Sequence, residues 1–336
     1  MTGQPDLSII IVNWNSAAFV RRCLSSIYAN SGAMTVEILV VDNASFDGCD
    51  ELVQNEFPAV RFIQNPENQG FARANNLGFS HASGRNLLFL NPDTEVVGPA
   101  LETLLSVLQA TPDVGIVGAR LLNSDGSIQT SCIQRFPTIL NQALDIEWLH
   151  LRYPKCPLWN IGPLFEGSES PVSVDAVSGA CLMIERGVFE EVGQFTTDYF
   201  MYAEDVDLCW KVKRLGRNNY YVGRAEVVHH GGQSTLAKPE SNFSNVMMRE
   251  SSLKFLLASR GRAYAGAYRF TTALAAVVRL AMTGAALLLT AGRFRRLVLA
   301  RALSKWTAIL RWALGVTPLS GSKERAARDT TLGIAE

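Results

Sequence analysis

The feature that most constrains this chain is a series of short apolar runs in its first 120 residues, each followed by polar turn residues and an amphipathic stretch. Apolar runs that alternate with helical patterns are typical of a mostly parallel sheet covered by helices. The predicted strands are Leu7–Val12, Glu37–Val41, Val60–Ile63, Asn86–Leu90 and Val114–Ala119. The predicted helices lie near Phe19–Tyr28, Gly48–Asn55, Phe71–Ser80 and Pro99–Ala110. We therefore predict an α/β fold with helices on both faces of a central sheet.

Regular patterns fade between Leu121 and Pro171 and then return. The later part predicts strands at Val172–Val177 and Cys181–Ile184, a short helix after Arg186, a helix at Val206–Leu215, and a strand pair at Asn219–Val222 and Glu226–Val228. After Ser244 the chain is predicted to be helical.

Charge and cysteine usage exclude several classes of protein. Lys and Arg together equal Asp and Glu at 31 each, so nothing in the net charge calls for a nucleic-acid partner. The six cysteines are scattered without a CxxC pair, which predicts reduced thiols and no zinc site. No secretory signal precedes the first strand, so we expect a cytoplasmic protein.

Polar side chains follow four of the predicted strands, where ligands of open α/β sheets bind. The four segments are Asn13-Trp14-Asn15, Asp42-Asn43-Ala44-Ser45, Asn65 through Asn68, and Asn91-Pro92-Asp93. Each of these segments alone is also typical of an ordinary turn, and Asp42 alone is equally typical of a helix cap. No GxGxxG motif follows the first strand, which argues against a dinucleotide site. Asp42 is also suited to accept a hydrogen bond from the imide N–H of uracil or thymine.

The stretch Asn68-Gln69-Gly70-Phe71-Ala72-Arg73-Ala74-Asn75-Asn76 places a glycine at the start of a predicted helix. Small residues there allow close approach to a ribose or phosphate, and a helix N-terminus favours an anion. The alternative is an ordinary helix start with glycine in the turn.

Taken together in order and spacing, these motifs resemble the inverting family 2 glycosyltransferases of GT-A fold, and most closely their bacterial rhamnosyltransferase-like branch. The resemblance runs from about Leu7 to Gly261. It implies that one group of residues binds a nucleoside-diphosphate sugar donor: Asn13, Asn15, Asp42, Asn68, Gly70, Phe71, Ala72, Asn75 and Asn91.

The resemblance also implies a divalent cation, Mg²⁺ or Mn²⁺, between the donor phosphates. The family's acidic DxD-type element corresponds here to Asn91-Pro92-Asp93, so only Asp93 offers a carboxylate. The later segment Val227-Val228-His229-His230-Gly231-Gly232 resembles the family's histidine motif, with His229 as the metal ligand and His230 as the fallback. The two histidines also read as a partly exposed turn.

The acidic segment Glu204-Asp205-Val206-Asp207 opens a predicted helix, where acids also serve as caps. The resemblance makes Asp205 the catalytic base, with Glu204 as a second catalytic candidate. It places Ser178, Gly179 and Trp210 on the acceptor side, although Gly179 also reads as a strand bulge. A Gln-x-x-Arg-Trp element like that of processive relatives does not precede Trp210, which favours transfer of a single sugar.

The C-terminal part has a different character. From Arg260 to Gly315 the chain carries basic residues and no acidic ones. The apolar stretch Thr271–Gly292 is long enough to span a bilayer, but Arg279 near its middle costs about 2.5–3.5 kcal/mol on an insertion scale. The arginines that follow suit a helix lying on an anionic membrane surface. The alternatives are a membrane span, or packing on the domain or in a homodimer.

These observations predict an enzyme that moves one sugar, with L-rhamnose from dTDP-rhamnose as the first choice, to a lipid-linked or polysaccharide acceptor of the cell envelope, at the inner face of the cytoplasmic membrane. The alternatives are a UDP-hexose or UDP-galactofuranose donor, and a sugar-nucleotide-binding protein without turnover. A nucleotidyltransferase is disfavoured because no basic, glycine-rich loop follows the first strand. The predicted organisation is a nucleotide-sugar half at 1–120, an acceptor and catalytic half at 121–245, a basic helical membrane-associating extension at 246–317, and a disordered tail at 318–336.

Overall fold

The structure is a computed structural model that describes residues 3–144, 152–153, 170–231, 242–289 and 296–316. The predicted tail at 318–336 lies outside these residues. The chain divides into two compact units. Unit 1 comprises Met1–Phe136, Trp148–Phe200 and Glu204–Ala237, and unit 2 comprises Pro137–Glu147, Met201–Ala203 and Lys238–Glu336. Unit 1 therefore contains most of both predicted halves of the α/β domain.

Unit 1 is built on a nine-stranded sheet with the order β3-β2-β1-β4-β10-β6-β11-β5, in which β8 also pairs with β11. The strands are β1 (Leu7–Asn13), β2 (Val36–Asp42), β3 (Arg61–Gln64), β4 (Asn86–Leu90), β5 (Thr94–Val97), β6 (Val114–Leu122), β8 (Val172–Val174), β10 (Cys181–Glu185) and β11 (Asn218–His229). Two short strands, β7 (Ile133–Gln134) and β9 (Ala176–Val177), pair separately.

The first four strands in that order are parallel, which confirms the α/β prediction. Strand β10 lies antiparallel between β4 and β6. The predicted strand pair near residue 220 is instead one long strand, β11, with a register shift between Val222 and Glu226. This shift explains why the apolar pattern of β11 is interrupted.

Helices of unit 1 pack on the sheet through apolar side chains that are fully buried. They are α1 (Ala17–Asn30), α2 (Cys49–Glu56), α3 (Phe71–His81), α4 (Ala100–Ala110), α6 (Arg186–Glu191) and α7 (Glu204–Arg214). Phe89 of β4 is completely buried and packs edge-to-face on Phe195, with 4.7 Å between ring centroids. This core supports the end of β4, where the candidate site begins.

Unit 2 contains α5 (Ile139–Ala143), α8 (Phe243–Leu289) and α9 (Arg296–Ala313). Gly261 breaks α8, because its φ of 83° lies in the left-handed region. Helix α8 is long and apolar enough to cross a membrane by length and composition, and 11% of its most apolar window is buried. The core helix of a soluble protein, which is mostly buried, passes the same test of length and composition.

Candidate active site

The candidate site lies along one edge of the sheet, at the carboxyl ends of β2, β1 and β4. These strands are neighbours and parallel, so the residues that follow them meet at the same edge. Asn13, the last residue of β1, is in register with Asp42, the last residue of β2. The alternation of strand and helix in the sequence thus brings distant polar residues together.

The carboxylate of Asp42 is buried and held by hydrogen bonds on both oxygens. Asn13 Nδ2 donates to Oδ1 at 2.7 Å, and the Ser45 N–H and Gln64 Nε2 donate to Oδ2 at 2.8 and 2.7 Å. Oδ1 retains lone-pair capacity for one further donor. Asp42 is therefore a hydrogen-bond acceptor in a fixed position, at the edge of the sheet where we predict that the nucleotide base binds.

A second acidic group lies in the same loop: ligand atoms of Asp42, Asp47 and Cys49 lie within 4.8 Å of one another. Hydrogen-bond donors already face these atoms, since the Ala17 N–H donates to Asp47 Oδ2 at 2.8 Å. Burial raises the pKa of the Cys49 thiol to about 12, so the thiol is protonated at neutral pH. This group orders the loop after β2.

Backbone strain marks the loops after β1 and β2. Asn15 and Ala44 have φ values of 52° and 57°, in the left-handed region that few non-glycine residues adopt. The Asn15 N–H donates to Ser45 Oγ at 2.8 Å, which joins the two loops.

The start of α3 is held by a tight turn around Gly70, whose φ is 81°. The Gly70 N–H donates to Asn68 Oδ1 at 2.9 Å, and its carbonyl accepts from Asn43 Nδ2 at 3.1 Å. A Cβ at Gly70 would lie 2.3 Å from the Phe200 carbonyl oxygen, so only glycine fits. The same carbonyl accepts from the Phe71 N–H at 3.2 Å.

Two predicted donor-binding residues of α3 are buried within the protein. Ala72 has no exposed surface, and Asn75 Nδ2 donates to the Phe71 carbonyl at 3.0 Å. Their contact with a donor remains a prediction.

The end of β4 places Asp93 beside the end of β11. Asp93 Oδ1 lies 3.3 Å from His229 Nε2, and Asn91 Nδ2 lies 3.4 Å from the same nitrogen. Carboxylate, amide and imidazole are suitable ligands for Mg²⁺ or Mn²⁺. A carboxylate oxygen and an imidazole nitrogen at this separation need a shared proton or cation between them. The donor set of Asn91, Asp93 and His229 therefore fits a divalent cation.

His230 differs from His229 because both of its ring nitrogens are engaged elsewhere. Nε2 lies 2.7 Å from Glu95 Oε1, and Nδ1 lies 2.8 Å from Ser124 Oγ. The geometry therefore supports His229, rather than the fallback His230, as the candidate ligand.

The carboxylate of Asp205, in the first turn of α7, accepts three hydrogen bonds. The Gly179 N–H and Gln134 Nε2 donate to Oδ2 at 2.8 and 3.0 Å, and the Val206 N–H donates to Oδ1 at 2.8 Å. Burial raises the pKa of Asp205, while these donors oppose the rise. A Cβ at Gly179 would lie 3.1 Å from Asp205 Cβ, so the glycine allows this close approach.

The neighbouring Glu204 has a different environment. It is buried, and its Oε2 has no hydrogen-bond partner in the described part of the chain. Burial, followed by the nearby Asp205 charge, raises the pKa of Glu204 to about 8. Trp210, one of the acceptor-side predictions, lies further along α7, where the Arg214 guanidinium stacks over its ring at 4.9 Å.

One backbone segment connects Asp205 with the end of β4. Ser178 Oγ accepts from the Ala180 N–H at 3.3 Å, and the Ala180 carbonyl accepts from the Asn91 N–H at 3.0 Å. The intervening Gly179 contacts Asp205 directly. The candidate base and the candidate metal ligands are thus attached to the same short loop.

Three glutamines that bind these groups were not predicted from the sequence: Gln64 on Asp42, Gln129 on His229 and Gln134 on Asp205. Gln129 and Gln134 lie where the apolar periodicity fades, and no motif distinguishes them.

Comparison with known proteins finds sequence similarity to sugar-transferring enzymes. An N-acetylglucosaminyl-diphospho-decaprenol L-rhamnosyltransferase of Mycobacterium tuberculosis is 29% identical over 252 residues, covering 71% of this chain and 80% of its own length. The rhamnosyltransferase WbbL of Escherichia coli K12 is 23% identical over 229 residues, covering 66% of this chain and 82% of its own.

Solved structures share the fold. The mannosyltransferase PcManGT from Pyrobaculum calidifontis, in complex with GDP-Man and Mn²⁺, covers 93% of this chain and 87% of its own with a TM-score of 0.57 at 20% identity. GalNAc-T7 with UDP, GalNAc and Mn²⁺ covers 76% of this chain and 48% of its own with a TM-score of 0.55 at 17% identity. These likenesses confirm the GT-A-like α/β fold.

The family model of glycosyl transferase family 2 matches residues 8–193, which is more than half of the chain and includes the ends of β1, β2 and β4. Because the family, the fold and the relatives agree, this protein belongs to glycosyl transferase family 2 and is a glycosyltransferase.

Proposed function

We propose that this protein transfers a single sugar, with inversion, from a nucleoside-diphosphate donor to a lipid-linked or polysaccharide acceptor in cell-envelope glycan synthesis. The observation that carries the proposal is the close grouping of Asp93 and His229 with the loop that binds Asp205. The proposed donor is dTDP-rhamnose, which supplies L-rhamnose. The similarity to rhamnosyltransferases of M. tuberculosis and E. coli supports this choice.

In this proposal, Asp42 recognises the pyrimidine base and the segment Asn68–Asn76 contacts the rest of the nucleotide. Oδ1 of Asp42 has a further lone pair to accept the imide N–H of thymine or uracil, a donor that cytosine does not carry. The tight turn at Gly70 fixes the start of α3 against the Phe200 carbonyl.

Asn91, Asp93 and His229 would hold a divalent cation, as the Mn²⁺ in both structural relatives suggests. When bound, such a cation neutralises charge on the diphosphate leaving group.

Asp205 acts as the general base in this reaction. An acceptor hydroxyl gives its proton to Asp205 as its oxygen attacks the anomeric carbon, and the nucleoside diphosphate leaves from the opposite face. The three hydrogen bonds on Asp205 hold the carboxylate in one orientation, and its raised pKa makes it a better proton acceptor near neutral pH. One base suffices for inversion, and no covalent intermediate forms.

In this proposal the enzyme lies on the inner face of the cytoplasmic membrane, and the exposed apolar side chains of its C-terminal helices support that location. The second half of α8 exposes large apolar side chains, including Phe270 at 71% and Met282 at 67%. The Arg279 guanidinium contacts other parts of unit 2: Nη2 donates to the Ala143 carbonyl at 3.1 Å, and the guanidinium stacks on Trp306 at 4.3 Å.

Asp205→Asn tests the catalytic role. We expect turnover to fall at least about 10²-fold while nucleotide binding is retained, because a placed base contributes about 10²–10⁴-fold. Asp50→Asn, at an exposed position in the first turn of α2, is the matched control and should keep full turnover. Equal loss of turnover and nucleotide binding in Asp205→Asn would assign Asp205 a structural role instead.

Thermal shift with dTDP, UDP, GDP and CDP, each with and without Mn²⁺, tests the donor. Binding stabilises the folded state by mass action, so the preferred nucleotide gives the largest shift, and Mn²⁺ should increase it. A selective response to UDP would favour a UDP-hexose or UDP-galactofuranose donor, and a selective response to GDP would overturn the role of Asp42. Donor binding without any donor hydrolysis or transfer would favour a non-catalytic sugar-nucleotide-binding protein.

A further inference from the structure

Gln129, just before the 3₁₀ turn Thr130–Cys132, makes two hydrogen bonds to a single residue, His229. Its Nε2 donates to the His229 carbonyl oxygen at 2.5 Å, and its Oε1 lies 2.9 Å from His229 Nδ1. The pair spans a hundred positions in the sequence and joins the loop after β6 to the end of β11.

The two contacts together determine which ring nitrogen of His229 carries the proton. A backbone carbonyl only accepts, so the amide nitrogen of Gln129 must face it. The amide oxygen of Gln129 therefore faces Nδ1, and because that oxygen only accepts, Nδ1 must carry a hydrogen. In the neutral ring the lone pair is then on Nε2, the nitrogen that faces Asp93 and Asn91.

The backbone around Gln129 keeps its side chain in place. The Gln129 N–H donates to the Leu121 carbonyl at 2.8 Å, and Leu122 forms a bridge to Ile128. On the other side, Gly231 has a φ of 58°, and a Cβ there would lie 3.6 Å from Gln129 Nε2. The amide is thus fixed between a β-bridge and the turn that follows the two histidines.

From these contacts we propose that Gln129 is a positioning residue, which fixes the tautomer and ring orientation of His229 so that the lone pair of Nε2 faces Asp93 and Asn91, where the cation would bind. This inference rests on the proposed metal role of Asp93 and His229. Partners on the second nitrogen of a metal-binding histidine commonly change metal affinity 10–100-fold when they are removed.

The neighbouring His230 provides a comparison, because its ring nitrogens have different partners. His230 has Glu95 on Nε2 and Ser124 on Nδ1, so neither of its nitrogens is left for a cation. Gln129 on one imidazole, and Glu95 with Ser124 on the other, therefore give two adjacent histidines different environments.

The test combines Mn²⁺ binding with direct observation of the ring. Gln129→Met removes both hydrogen bonds at similar volume, and Gln129→Glu keeps an acceptor for Nδ1 while losing the donor to the carbonyl. Mn²⁺ affinity is measured by electron paramagnetic resonance on the full chain without donor. The His229 tautomer is measured by ¹⁵N NMR of histidine-labelled protein, assigned with His229→Ala among the four histidines.

We expect Gln129→Met to weaken Mn²⁺ binding about 10–100-fold and to lose the Nδ1–H tautomer, and Gln129→Glu to retain the tautomer. Ser124→Ala, which removes a bond to His230 in the same loop, is the matched control and should leave Mn²⁺ affinity within about 2-fold. Unchanged affinity and tautomer in a folded Gln129→Met protein would overturn the inference.

The experiments distinguish a failure of the proposed metal site from a failure of the proposed role of Gln129. If Asp93→Asn abolishes Mn²⁺ binding and Gln129→Met does not affect it, the metal site stands and the role of Gln129 fails. If the unaltered protein binds no Mn²⁺, the metal role fails, and the NMR measurement still decides whether Gln129 sets the tautomer.

Discussion

Two adjacent carboxyl groups at the start of α7 differ in their hydrogen bonding. Asp205 accepts three hydrogen bonds, whereas Glu204 is buried with an Oε2 that lacks a partner among the described residues. Charge on Asp205 is stabilised by donors, while charge on Glu204 is opposed by burial and by Asp205 itself. The environment thus favours Asp205 as the ionised base and Glu204 as a neutral acid.

The raised pKa of Glu204 predicts a particular dependence of stability on pH. Between pH 4.5, the ordinary pKa of glutamate, and about 8, the folded protein keeps a proton on Glu204 that the unfolded chain has released. Stability therefore falls as pH rises through this window, by on the order of a few kcal/mol. Glu204→Gln mimics the neutral acid, so we expect it to raise the melting temperature more at pH 8.5 than at pH 5.

Differential scanning calorimetry at the two pH values checks this prediction. Glu185→Gln, at an exposed position at the end of β10, should give the same small effect at both pH values. An equal effect of Glu204→Gln at pH 5 and pH 8.5 would contradict the proposed neutral state of Glu204.

At the candidate site, the acidic and imidazole side chains could be predicted from the sequence, but the glutamines that hydrogen-bond to site residues could not. Asp42 and His229 end strands and Asp93 lies three residues after one, and the end of a strand is visible in the local apolar pattern. The glutamines that bind Asp42, His229 and Asp205 come from 22, 100 and 71 positions away. Such pairings depend on the tertiary fold, and a single glutamine has no periodicity to reveal it.

At the scale of elements, the sequence predicted β1 to β4 and their helices because each apolar run is continuous and bounded by turn residues. Strand β5 (Thr94–Val97) was missed, because it follows Asp93 immediately and pairs only with the distant β11. Strand β11 was predicted as two strands, because its register shift interrupts the apolar pattern between Val222 and Glu226. Local pattern thus predicts strands with one continuous apolar run better than short or irregular strands.

Helix α3 packs so closely on the sheet that one position requires glycine. A Cβ at Gly78 would lie 2.5 Å from Ile10 Cγ2 and 3.1 Å from Val41 Cγ2. We expect Gly78→Ala to destabilise the protein by about 1–3 kcal/mol, since overpacking outweighs a gain in helix propensity of up to about 1 kcal/mol. Urea denaturation followed by circular dichroism measures the change.

Gly266 of α8 provides the matched control, because no atom lies within 4 Å of its Cβ position. Gly266→Ala should therefore be neutral or stabilise by up to about 1 kcal/mol. If Gly78→Ala were as stable as Gly266→Ala, the close contact between α3 and β1 would be wrong.

At the scale of the whole molecule, the two units have different surfaces. Unit 1 buries most of its apolar side chains in the sheet core, whereas in unit 2 the second half of α8 leaves a stripe of them exposed. The stripe consists of Phe270, Leu274, Val277, Val278 and Met282. Their spacing of three and four residues places them on one face of the helix. The sequence predicted an apolar helix here, but only the structure shows that Arg279 is turned to Ala143 and Trp306.

We expect this stripe to bind a membrane surface, with the basic residues of the same region favouring anionic lipid. The double variant Leu274→Glu/Met282→Glu introduces two charges into the stripe and should abolish co-sedimentation with vesicles of phosphatidylglycerol and phosphatidylcholine. Leu257→Glu changes an exposed leucine of α8 that precedes the break at Gly261, and this control should sediment like the unaltered protein. Sedimentation of the unaltered protein should weaken with pure phosphatidylcholine and at high salt, since part of the attraction is electrostatic. If the double variant still sedimented fully, or the unaltered protein did not sediment at all, the stripe would not be a membrane-binding surface.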